Sequence, residues 1–109
     1  MDYSQLHDAQ INMMVCKALG LELSSYARIL RQDDATILLS DNETLVDYCN
    51  NPADAWPIID KYRISIINLG EDEWGARGVA DCKSKRAIHE NSLRAAMIVF
   101  LMMQDAKHA

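Results

Sequence analysis

Little in this 109-residue chain announces a reaction. Cysteine is scarce and odd in number: Cys16, Cys49 and Cys82 stand far apart and form no C-x-x-C pair. That excludes a disulfide framework and a zinc ribbon, and suits free thiols in a reducing compartment. Histidine is confined to His7, His89 and His108, with no H-x-x-x-H or H-E-x-x-H spacing, so neither a metal site nor a cofactor is expected. There are only 4 glycines, and Gly70, Gly75 and Gly78 in "GEDEWGARG" match neither the Walker nor the dinucleotide-binding pattern. The longest apolar run covers residues 95–103, well short of the roughly 20 residues that a membrane-spanning helix needs. The opening "MDYSQLHDAQ" has no basic region followed by an apolar core, so no secretory signal is expected. Positive charge is in deficit, 11 Lys and Arg against 16 Asp and Glu for a net charge of −5, which disfavours nucleic acid and anionic membranes as partners.

What is present suits a single domain spanning residues 1–109: 50% hydrophobic and 25% charged, at a length where one core suffices. Ile11, Met14, Val15, Ala18 and Leu19 recur at helical spacing and Gly20 follows, which predicts a helix over residues 8–19. "YARILR" and "TILLS", separated by "QDDA", predict a hairpin, with "TLVDY" as a third strand or an irregular approach to the next helix. Asn51 is a favoured N-cap, Pro52 suits a first helical turn, and Asp54 places negative charge at the positive end of the dipole. A second helix over 52–61 follows, with Ala55, Ile58, Ile59 and Tyr62 as its apolar stripe. "ISIINL" and "WGARGVA" predict a second hairpin in which Gly75 and Gly78 mark a bulge or a close backbone approach. "CKSKRAIHE" is expected as a polar connection, and Asn91 or Ser92 as the cap of a last helix reaching residue 107. That helix is apolar nearly all round, so it calls for cover on most sides, from its own chain or from another. The sum is an α+β fold in the order α-β-β-α-β-β-α, with helices on both faces of a mainly antiparallel sheet.

Read in order, "MDYSQL", "INMMVCKALGL", "CNNPADAWPIIDKYRISI" and "NSLRAAMIVFLMMQ" resemble the NinX-like proteins of lambdoid phages and prophages. The resemblance runs the length of the chain and is strongest in "NNPADAWPII" and "LRAAMIVFLMMQ". It implies an α/β/α sandwich, a phage or prophage origin and a cytoplasmic location in a bacterial host. It carries over no catalytic residue.

Few side chains offer themselves as a site, and no catalytic residue is expected. Trp56 and Trp74 suit core packing and binding hot spots alike. Asn51 and Asp54 either cap their helix or line a pocket with the two tryptophans and Arg77, where aromatic faces and one cation would hold a nucleotide-like ligand. Arg77, Lys83, Lys85 and Arg86 are the one basic cluster; with Arg94 they could meet a phosphate or an acidic partner, but a solvated connector is the favoured expectation. Cys49 and His89 are the residue types of a nucleophile and its base, with nothing in the sequence to bring them together. Two function classes result. The first is a noncatalytic phage accessory protein that binds a host or phage protein and forms a homo-oligomer through its C-terminal helix. The second is a small-ligand binder or enzyme with a pocket near Trp56 and Trp74.

Overall fold

The structure, a computed structural model, describes residues 2–25 and 35–108. After a 3₁₀ turn, Tyr3–Gln5, helix α1 covers Asp8–Ala18. The Gln10 side chain accepts from the His7 N–H at 2.8 Å. At the other end Gly20 adopts φ +77°, and the Leu21 and Gly20 N–H groups close onto the carbonyls of Cys16 (2.9 Å) and Lys17 (3.0 Å). This crossed pair of bonds satisfies carbonyls the helix leaves over, and a left-handed residue makes it accessible.

Strand β1, Ile37–Leu38, pairs antiparallel with β2, Leu45–Val46. So "TLVDY" does supply a strand, and it is the partner of "TILLS". The tight turn between them is built by Asp41, whose carboxylate accepts from the N–H groups of Glu43 (2.9 Å) and Thr44 (2.8 Å), with Asn42 at φ +59°. Asp and Asn favour this local closure. A single bridge joins Leu23 to Leu39 on the other side of β1. The expected strand over residues 26–31 lies outside the described residues.

Helix α2, Pro52–Lys61, has the predicted bounds. Asn51 Oδ1 accepts from the Ala53 N–H at 3.0 Å, and Ala55, Ile58 and Ile59 form the buried stripe. The chain then enters a three-stranded antiparallel sheet, β3 (Ser65–Asn68), β4 (Trp74–Ala80) and β5 (Lys83–His89), with β4 in the centre. The first two are the expected hairpin. The third corrects the reading of "CKSKRAIHE" as a connection: residues 83–89 pair along the whole of β4. A two-residue turn makes this possible, with Asp81 at φ +53° and Cys82 at φ +61°. Hairpins favour this turn because its twist matches that of the strands, but both central residues must be left-handed. Asp-Cys is a poor advertisement for it.

Helix α3, Ser92–His108, is the centre of the molecule. Asn91 caps it, Oδ1 accepting from the N–H groups of Leu93 (2.9 Å) and Arg94 (3.2 Å). Every residue from 95 to 101 is at most 6% exposed. One side lies on β4 and β5, and the other is covered by α1 and α2. Its apolar circumference is therefore met within the chain. Tyr62 packs edge-on against Phe100 with ring centroids 4.9 Å apart. The Tyr3 hydroxyl donates to Asp105, pinning the amino-terminal turn to the end of α3.

The α+β class and element order are as expected, with β5 added. The layering is sheet, then α3, then α1 and α2, so the described helices gather on one face of the three-stranded sheet and its other face stays exposed. Of the two roles expected for the glycines of β4, the ladder shows close approach: registry is unbroken, and a Cβ on Gly78 would lie 2.5 Å from Met103 Sδ and 3.1 Å from Val99 Cγ1.

Two outcomes follow. Gly78→Val should destabilise by about 1–3 kcal/mol in urea unfolding through overpacking, and Met103→Ala in the same chain should return part of that loss. Replacing the turn with Asn-Gly (Asp81→Asn with Cys82→Gly) should stabilise by about 0.5–1 kcal/mol, since it removes a left-handed β-carbon.

Candidate functional site

Alternation along β4 divides the sheet. Trp74, Ala76, Gly78 and Ala80 face α3, while Gly75, Arg77 and Val79 face away. Register then builds the outer face row by row. Ser65, Arg77 and Arg86 lie side by side in one row, and Ile67, Gly75 and Ile88 in the next. Gly75 has no side chain between the two isoleucines, and Leu69 leans over it; a Cβ there would sit 3.1 Å from Leu69 Cδ1. The result is a shallow apolar notch of about 240 Å³, edged by Arg77 and Arg86. Ile67 is 45% exposed, Leu69 49% and Ile88 61%, and the three line one notch; Val79, 51% exposed, lies on the same face beyond the arginine row.

Charge on this sheet runs against the whole chain. Strands β3, β4 and β5 carry Arg77, Lys83, Lys85 and Arg86 and no Asp or Glu, although acids outnumber bases 16 to 11 overall. Arg77 and Arg86 are direct cross-strand partners, an arrangement that costs energy for like charges. Among the described residues neither has an ion-pair partner; the recorded ion pair is Arg94 with Asp8.

That ion pair belongs to a second feature, a polar cavity of about 460 Å³ lined by His7, Asp8, Asn50, His89 and Arg94. Its groups are engaged with one another. Arg94, 6% exposed, donates from Nη1 to Asp8 Oδ1 at 2.6 Å and from Nη2 to the Leu6 and Ser4 carbonyls at 2.6 and 3.3 Å. Asn50 Nδ2 reaches Asp8 Oδ2 at 3.2 Å and Asp47 Oδ1 at 3.1 Å, and Asn91 Nδ2 donates to the Cys49 carbonyl at 2.7 Å. Below the cavity, fully buried Asn12 donates to the Ala35 carbonyl and to Asp47 Oδ1, each at 2.8 Å, and accepts from the Cys49 N–H at 3.1 Å. The cavity is a junction where α1, the approach to α2, the end of β5 and the start of α3 are tied together.

Asn91 touches both Cys49, at its carbonyl, and His89, at Nδ1, while the Cys49 thiol itself faces the Asp8 carbonyl at 4.0 Å. Burial pushes the Cys49 thiol far above its ordinary pKa and the nearby Asp8 charge adds to the rise, so no thiolate forms at neutral pH. His89 Nδ1 accepts from the Asn91 N–H at 2.9 Å, which places a neutral ring's proton on Nε2.

Comparison with known proteins gives this geometry a setting. The sequence matches the family described as bacteriophage P22, NinX, over residues 2–104. The chain belongs to that NinX family. Among solved structures it is similar to a phage protein from Bacillus cereus ATCC 14579, known from a 2.0 Å crystal structure, with a TM-score of 0.67. The two are 15% identical, over 94% of this chain and 97% of that one, a likeness of fold alone. No curated protein matches.

Within this NinX chain the five residues singled out from the sequence are distributed over separate surfaces. Asn51 caps α2, and Asp54 Oδ2 accepts from the Asp47 N–H at 2.9 Å, bracing the loop before that helix. Trp56 is 59% exposed and lines a hollow with Ile59, Asp60 and Arg63. Trp74 is half-buried on the α3 side of β4, and Arg77 lies on the opposite side. Asp54, Trp56 and Arg77 thus line three different hollows. Arg77 alone of the five stands on the exposed apolar face. Of its neighbours there, Arg86 enters the sequence reading only as part of a basic connector, and Ile67, Leu69 and Ile88 are not singled out, because without β5 the row that joins them cannot be drawn. The available signal was the alternation in "KSKRAIH", where Ser84, Arg86 and Ile88 share one face.

Cys16 is also buried, and burial raises its pKa. Of the three cysteines, exposed Cys82 should therefore react with a thiol reagent in the native state, while Cys16 and Cys49 stay protected until unfolding. Because both protected thiols keep their protons in the fold, the unfolded chain releases protons first. Stability should then fall as pH climbs past about 9, which a urea series across pH 7 to 10 checks.

Proposed function

We propose that this NinX-family protein is a noncatalytic phage accessory protein that works by binding a host or phage protein through the outer face of its three-stranded sheet. The observation that supports this is the shared exposure of Ile67, Leu69 and Ile88 around one notch, with Val79 further along the same face, on a sheet whose other face carries α3. Apolar surface of this kind on a small domain marks an interaction site more often than a solvated wall. The charged pair of the polar cavity points the same way, since Asp8 and Arg94 are engaged in joining elements and the neighbouring Cys49 thiol is held protonated. Association through the C-terminal helix loses its motive, because residues 95–101 are buried within the chain itself.

Affinity enrichment from phage-infected cells, quantified against variants, tests the reading. A partner retained by the wild-type chain and by Trp56→Ala should be lost at least tenfold by Ile67→Ser with Ile88→Ser, about 1.4 kcal/mol or more of binding free energy. Circular dichroism and the unfolding midpoint should show that the double variant still folds. A partner indifferent to the double substitution, or lost with Trp56→Ala instead, would contradict the assignment.

A further inference from the structure

The paired arginines of the outer face say what kind of partner suits it, and this inference rests on the docking role just proposed. We infer that the partner presents an acidic, apolar segment: a carboxylate held between Arg77 and Arg86, and an aliphatic or aromatic side chain seated in the notch over Gly75. Register sets the two arginines directly opposite each other, with Ser65 completing the row, and the three strands contain no acid to neutralise them. The acids nearest in sequence, Glu73, Asp81 and Glu90, lie outside the strands, in the β3–β4 turn, in the β4–β5 turn and just after β5.

Docking any surface onto the isoleucine row draws the adjacent guanidiniums out of water. That is costly for unpaired charges, so a fitting partner must carry countercharge at that row. Guanidinium forks match carboxylates in a planar, two-bonded geometry that a lone ammonium cannot offer. The remaining lining is aliphatic: Ile67, Leu69, Ile88 and the backbone of Gly75. A nucleic acid fits less well. Among the described residues no aromatic side chain stands on this face to stack a base, Trp74 being turned to the other side, and the −5 chain with its acidic turn repels a polyanion. A second copy docked face to face about an axis through the pair would gather four guanidiniums in one interface.

The test selects peptides from a displayed random 12-residue library on the immobilised full chain and measures the enriched ones by fluorescence anisotropy. Enriched sequences should combine Asp or Glu with a nearby aliphatic or aromatic residue, bind more weakly as salt rises, and lose at least thirtyfold in affinity on Arg77→Glu with Arg86→Glu. Replacing the peptide's acid by Lys should restore binding to that charge-reversed chain. Peptides lost with Ile67→Ser and Ile88→Ser yet indifferent to charge reversal would overturn the inference while leaving the docking role intact. Failure to obtain any peptide sensitive to the isoleucine substitutions would overturn both. Tighter binding of a single-stranded oligonucleotide at the same arginines, or a dimer in sedimentation that charge reversal dissolves, would also replace the acidic segment with another occupant.

Discussion

Helix α3 cannot be left wet on any side, and the arrangement of the other elements answers that requirement. Residues 95–101 run Ala-Ala-Met-Ile-Val-Phe-Leu without a polar interruption, so no rotation of the helix presents a solvated stripe. Apolar area removed from water is worth roughly 25 cal/mol per Å², which makes full cover the largest single gain open to this chain. One sheet face and two helices supply it. Gly78 is part of the same answer, since its missing side chain lets β4 approach Val99 and Met103.

Covering α3 from both sides brings polar ends of several elements together, and they need partners there. Arg94, in the first turn of α3, satisfies the carboxylate of Asp8 and the carbonyls of Ser4 and Leu6. Asn12 and Asn91 hold the segment around Cys49 from two directions. The polar cavity is therefore a structural joint, and Cys49 and His89 are both held beside it through Asn91.

The same economy leaves one surface over. With α1, α2 and the inner sheet face all committed to α3, the outer sheet face has no described helix to cover it. It carries exposed isoleucines, a leucine and a valine beside an in-register arginine pair. Membership of the NinX family and likeness in fold to a Bacillus cereus phage protein set this surface in a phage context. The docking role draws on the surface itself.

Local rules made much of the fold legible. Helix bounds at Asn51, Pro52, Asn91 and Gly20 follow from capping chemistry and left-handed tolerance, which act within a turn of the chain and are visible in a few letters. The apolar circumference of α3 likewise declared burial before any neighbour was known. The strand over residues 83–89 was harder. Its turn uses Asp81 and Cys82 where Asn and Gly are usual, and its residues are mostly polar, so composition spoke for a connection while backbone pairing with β4 made a strand. With that strand came the face: Ile67, Gly75 and Ile88, or Arg77 and Arg86, are neighbours through register alone, at separations no periodicity connects. Residue types and short-range signals thus determined the elements and the need to bury α3. Which face stayed open, and which charges met upon it, were decided by strand pairing between distant segments, because cross-strand proximity is a property of the assembled sheet.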